Sequence, residues 1–206
     1  MFKMILLVLL LSFIGYWFFR DQTDLRQFDP KLMAFYETRS WKAYYEHEWI
    51  QLGRYLYLTS RDEYGFSPWN SIRLGYHATL AAKDFRIHGN MDRSSIIQHL
   101  IHYYEIIASH SEIRMSPEKC ATLEYEWWQM RRDKRPMHEI TETIASLLSE
   151  IYQRPLSSFT PCATLRVEMM SFRDERRNQI ILPSEWDFIQ SGLLQSYELL
   201  QAKITP

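Results

Sequence analysis

Residues 123–132, LEYEWWQMRR, put two carboxylates, two tryptophans and two arginines into ten positions. Two carboxylates share acid–base work only when they converge on one point. On a helix Glu124 and Glu126 point apart, so this spacing does not supply that pair. Glu124, Trp128 and Arg131 instead fall on one face at i, i+4 and i+7. Trp127 with Arg131, and Trp128 with Arg132, are i, i+4 neighbours, so a guanidinium can lie over each indole. The stretch reads as a Trp-rich core face edged by a Glu–Arg pair, or as a binding surface.

Two further stretches mix acids, bases and rings. In residues 37–49, ETRSWKAYYEHEW, Glu37, Trp41, Tyr44 and Glu48 share a face, and Trp41, Tyr45 and Trp49 line the next one. In residues 166–177, RVEMMSFRDERR, Met169, Met170 and Phe172 read as core, while Arg173, Asp174 and Arg177 are placed for local pairs. If the charges turn inward, they form a buried polar network joining three helices, in which every member needs a partner. The expected contributors are Glu37, Glu124, Arg131 and Arg173.

A metal would need converging His and carboxylate ligands. His99, His102 and Glu105 stand at i, i+3 and i+6, with His110 beyond. The Glu-x-x-His pairs of di-iron bundles are missing, because Ile96 precedes His99 by three and His99 precedes His102 by three. His138-Glu139 lacks the second His of H-E-x-x-H. No metal or cofactor is expected. There is no glycine-rich phosphate loop, G-x-S-x-G or C-x-x-C, so no catalytic residue can be assigned. Cys120 and Cys162 are too few for a disulfide framework and read as small buried residues.

The formal charge of −1 gives no footprint for nucleic acid, and the basic clusters are interleaved with acids. With 206 residues, 46% hydrophobic and 15% aromatic, but 6 Gly and 8 Pro, the chain is expected to build one domain of long regular elements around rings.

The elements that would position these residues are helices. Asp29-Pro30, Ser67-Pro68, Ser116-Pro117 and Thr160-Pro161 each place a capping side chain before a proline. Further starts are expected near Asp92, after Pro136, and at Ser184 with Asp187 three residues on. His88-Gly89 reads as a helix end. Phe35, Trp41, Tyr45, Trp49, Leu52 and Leu56 recur at helical intervals, as do Ile96, Ile97, Leu100, Ile101, Tyr104 and Ile107. The proline-marked starts are 38, 49 and 44 residues apart, which suggests helical hairpins of similar size.

The expected architecture is therefore all-α: a compact bundle of about six to seven helices in residues 30–206, a linker at 21–29, and a transmembrane signal anchor at 1–20. The apolar run Met4–Phe19, with Lys3 and Arg20 at its ends and Tyr16 and Trp17 near the interface, supports a single-pass anchor in a bacterial inner membrane. The side on which the domain lies is left open. The expected role is a membrane-anchored interaction, scaffold or accessory component with a protein partner and without nucleic acid. The alternative is a metal-binding or enzymatic bundle using inward Glu and His.

Overall fold

The computed structural model describes residues 2–88, 92–176 and 179–205. Among these residues it holds nine α-helices and no strand. They are α1 (Phe2–Phe19), α2 (Pro30–Tyr45), α3 (Trp49–Leu58), α4 (Pro68–His88), α5 (Arg93–His110), α6 (Pro117–Arg132), α7 (Met137–Tyr152), α8 (Thr160–Glu175) and α9 (Pro183–Ile204). A π-helical turn, Thr59–Glu63, follows α3, and a short 3-10 turn, Leu156–Ser158, precedes α8.

Helix punctuation follows side-chain chemistry. The Asp29 carboxylate accepts from Lys31 N–H at 2.8 Å, and Ser116 Oγ accepts from Lys119 N–H at 3.2 Å, each with Pro at the first helical position. Ser67 Oγ accepts from Asn70 N–H at 3.3 Å at the start of α4. Two expected caps differ. Thr160 is already helical, because the 3-10 turn delivers the chain into α8 at Phe159. At α9 the cap comes from Glu185, whose carboxylate accepts from Leu182 N–H at 2.9 Å, and not from Ser184 and Asp187. The expected end at Gly89 and the expected pairing of Arg177 lie outside the described residues.

The helix count exceeds six to seven for a local reason. The periodic run from Phe35 to Leu56 is two helices, α2 and α3. They are separated at Glu46-His47-Glu48, where His47 takes φ 62° and Glu48 N–H donates to Ala43 C=O at 2.8 Å. Left-handed geometry at a non-glycine residue is uncommon, and no Gly or Pro marks this turn.

Helices α2 to α9 form a closed circuit. Each packs on the next, and α9 returns to pack on α2. The C-terminal ends of α2, α4, α6 and α8 meet: Tyr45 donates to Asp174 at 3.1 Å, Arg131 bonds both residues, and the Arg86 guanidinium lies 5.9 Å from the Tyr45 ring. The intervening helices run the other way. The four proline-marked starts are thus the first helices of four hairpins arranged in a ring. α3 and α4 approach closely: a Cβ on Gly75 would stand 2.9 Å from the Gly53 carbonyl oxygen.

The opposite end is closed by residues 21–29 and the π-helical turn. Leu25 and Phe28 are buried, Gln22 N–H bonds Gly65 C=O at 2.8 Å, and Tyr152 OH donates to Leu25 C=O at 3.3 Å. The Asp21 carboxylate accepts from Ser67 N–H at 2.6 Å and from Asn70 Nδ2 at 2.9 Å, which ties this segment to the start of α4.

The expectation of a transmembrane anchor, and with it the single-pass inner-membrane localisation, is overturned. Among the described residues no helix is long and apolar enough to cross a membrane. The 18 residues of α1 span about 27 Å at 1.5 Å per residue, against a hydrocarbon core of about 30 Å. Its last turn is also engaged by the ring: Phe18 and Phe19 lie 6.3 and 6.1 Å from Trp69 of α4, and Arg61 lies over Trp17.

Candidate functional site: a cavity inside the helical ring

Closing eight helices into a circuit leaves a central cavity of about 580 Å³, with lining residues from every one of α2 to α9. Ligand pockets fall between roughly 300 and 1,000 Å³. Its walls divide by helix. α3, α5 and α7 supply mainly apolar groups such as Leu52, Leu100 and Ile144, whereas α2, α4, α6 and α8 supply every charged group in the lining.

Two charged clusters face the interior. In the first, Arg166 of α8 is ion-paired with Glu37 of α2, with one contact at 3.1 Å. Tyr197 of α9 also donates to Glu37, and Trp41 Nε1 donates to the other Glu37 oxygen at 3.1 Å. Burial works against the Arg166 charge, but the Glu37 carboxylate and Tyr197 hold the guanidinium above its ordinary value. Arg166 sits deep in the protein yet keeps 28% of its side chain accessible, because that surface faces the cavity.

Glu124 of α6 repeats the Glu37 arrangement on another wall. Its carboxylate accepts from Trp128 Nε1 at 2.9 Å and from Tyr104 OH of α5 at 3.1 Å. In both helices a Glu holds the indole four residues on, the i, i+4 spacing that stacks side chains on one face. Burial pushes the Glu124 carboxyl up; the hydrogen bonds from Trp127, Tyr104 and Trp128 and the charge of Arg166 oppose that rise without cancelling it.

The second cluster stands at the other end of the cavity, around Tyr45. Arg131 Nε donates to Asp174 Oδ2 at 2.5 Å and Nη2 to Oδ1 at 3.1 Å, a bidentate pair, and Nη2 also donates to the Tyr45 hydroxyl. The Arg173 guanidinium lies 3.6 Å from the Tyr45 ring, and those of Arg131 and Arg86 each 5.9 Å. Burial, partly offset by Arg131, pushes the Tyr45 hydroxyl up to about 12, so it stays protonated at neutral pH. Arg131 and Asp174 each keep 19% of their side chains accessible, whereas Leu25, Met33 and Tyr152 at the far end are buried. This end, where Arg86 and Arg131 both lie against Tyr45, is the arginine end of the cavity.

Of the four residues singled out from sequence, Glu37, Glu124 and Arg131 line this cavity, and the buried Arg173 adjoins it through Tyr45. They are not paired with one another. Glu37 belongs with Arg166, Arg131 with Asp174, and Glu124 with Tyr104 and Trp128. The expected guanidinium–indole stacks within α6 give way to cross-helix contacts: Arg132 covers Phe85 at 3.8 Å, and Arg131 lies between Trp41 and Tyr45. Sequence reasoning missed Arg166 and Tyr197. The i, i+4 Glu–Trp spacing shared by α2 and α6 was the signal that could have pointed to facing walls.

The histidine cluster of α4 and α5 lies elsewhere. His77 of α4 meets His99 of α5 with their Nδ1 atoms 3.1 Å apart, and its ring lies 5.2 Å from that of His102. Among the described residues no group of three or more His, Cys, Asp or Glu is placed to hold a metal ion. Cys120 and Cys162 are buried free thiols, pushed up by burial, and Cys162 lines the cavity.

No family model, no curated protein and no solved structure matches this chain.

Proposed function

We propose that the protein is a binding protein for a small organic molecule enclosed within the helical ring. The observation that carries this reading is the cavity of about 580 Å³, which lies within the range of ligand pockets and well above the voids of a close-packed interior. Its aromatic walls, with Trp41, Tyr44, Phe85, Trp127 and Trp128 among them, suit a flat or apolar body, and the fixed ion pairs orient polar substituents. The test uses N-phenyl-1-naphthylamine, a neutral probe that brightens in apolar surroundings. The expected result is saturable binding at one site per chain, abolished by Ala82→Phe, which projects a ring from α4 into the cavity. Binding that does not saturate, or that survives Ala82→Phe in a folded variant, rejects the reading.

The protein–partner role expected from sequence has one supporting observation. A shallow groove between α3 and α4, lined by Trp49, Ile50, Tyr57, Ile72, Tyr76 and Leu80, leaves Ile50 88% exposed. Apolar area of this kind marks interaction surfaces. Ile50→Asp would abolish self-association or partner capture while leaving probe binding in the cavity unchanged.

A further inference from the structure

We infer that the ligand carries a phosphate or equivalent dianionic group, held at the arginine end of the cavity by Arg86 and Arg132 with its aromatic body inside. This inference rests on the proposed ligand-binding role.

The charge balance of the lining leads to it. Four arginines line the cavity, Arg86, Arg131, Arg132 and Arg166, against three carboxylates, Glu37, Glu124 and Asp174. Arg166 is taken by Glu37 and Arg131 by Asp174. Glu124 is occupied as acceptor for a tyrosine and an indole on its own wall. Arg86 and Arg132 remain. Among the described residues neither is ion-paired with a carboxylate; their hydrogen bonds and ring contacts are with His47, the rings of Tyr44, Tyr45 and Phe85, and the Phe85 carbonyl.

Arg86 Nε and Nη2 lie 3.3 and 3.2 Å from His47 Nε2, and its guanidinium stands over Tyr44 and Tyr45 at 5.6 and 5.9 Å. Arg132 donates to the Phe85 carbonyl and covers the Phe85 ring at 3.8 Å. Phe85 precedes Arg86 in α4, so the ring under Arg132 and the root of Arg86 are neighbours at the last turns of α4 and α6, and both arginines line the cavity. Each guanidinium has five donors and uses one or two of them. The rings hold the flat faces and leave N–H edges for an anion.

Two cations, with Arg131 beside them already neutralised, match a group of charge near −2. A phosphate ester supplies that charge and the several acceptor oxygens that such forks recognise. Trp128, 5.3 Å from Phe85, and Trp41, 6.0 Å from the Arg131 guanidinium, stand next to this point and provide ring faces for the attached body.

The test measures displacement of N-phenyl-1-naphthylamine from the full chain by 1-naphthyl phosphate and by 1-naphthol, at low and high salt. The expected result is that 1-naphthyl phosphate binds at least 10-fold more tightly than 1-naphthol, and that only the phosphate weakens as salt rises. Arg86→Gln and Arg132→Gln should each lower the phosphate's affinity about 10-fold and leave 1-naphthol within twofold. Equal affinity of the two compounds, or salt-independent binding of the phosphate, overturns the anion inference and leaves the cavity reading standing. Failure of all three compounds to bind overturns both. The salt comparison needs no variant, so the result stands even if an arginine variant fails to fold.

Discussion

Glu37 on α2 and Arg166 on α8 are ion-paired in the interior across 129 residues of sequence, with α9 between their helices contributing Tyr197 to the same carboxylate. The pair ties three consecutive members of the ring at the point where the circuit closes.

Removing one partner strands the other. Arg166→Met leaves the Glu37 carboxylate, 10% accessible, without its counter-charge and should cost about 3 kcal/mol in urea unfolding. Combining it with Glu37→Gln should cost at least 1 kcal/mol less than the sum of the two single changes, because neighbours in one network are not additive. Additivity within about 0.5 kcal/mol would show that the groups do not depend on each other.

Glu124 tests the facing wall. Its two oxygens accept from Trp128 and Tyr104, and Glu124→Gln turns one acceptor into a donor aimed at donors. A loss of about 1–2 kcal/mol is expected from the broken hydrogen bond, partly relieved because burial already disfavours the carboxylate charge. A change within the usual surface range of about 0.5 kcal/mol would place this side chain outside any buried network.

Gly75 stands at the close crossing of α3 and α4. Its added Cβ would press on a backbone carbonyl of α3 and not on a movable side chain. Gly75→Ala should therefore separate α3 from α4 and cost about 1–3 kcal/mol, although alanine is the better helix former. A Tm equal to or above that of the unaltered protein would contradict the close approach.

His77 gives a pH dependence of known sign. Burial first, then His99, His102 and Arg73, push its imidazole down to about 4 from 6.5, with Glu105 acting the other way. Between those values the unfolded chain takes up a proton that the folded one refuses. The contribution to stability is thus full above pH 6.5, falls as pH drops from 6.5 to 4, and levels off below. The Tm difference between pH 7.5 and pH 5 should shrink in His77→Gln; an unchanged difference would exclude His77 as its source.

Much of the ring was legible in the chain. Asp29-Pro30, Ser67-Pro68 and Ser116-Pro117 mark where same-direction helices begin, because capping and the missing proline N–H are local effects. The break at His47 was not legible, since a left-handed residue flanked by Glu46 and Glu48 leaves no Gly or Pro signature and the apolar spacing continues across it. The site was half legible. Glu37, Glu124 and Arg131 stood out through their aromatic neighbours, which belong to their own helices. Arg166 and Tyr197 did not, because what distinguishes them is contact with α2, and no spacing within α8 or α9 encodes which helix will stand opposite.

The seam between α9 and α2 is the one junction of neighbours in the ring with no short covalent connection. Gln201 bonds the Phe28 carbonyl there, so the end of α9 lies beside the start of α2. A ring of this kind has no obligatory first helix. Joining residue 205 to residue 29 by a short linker and reopening the chain between α6 and α7 would leave every helix with the same two neighbours. The order in which the hairpins are synthesised is then a property of the gene, separable from the shape that the eight helices adopt.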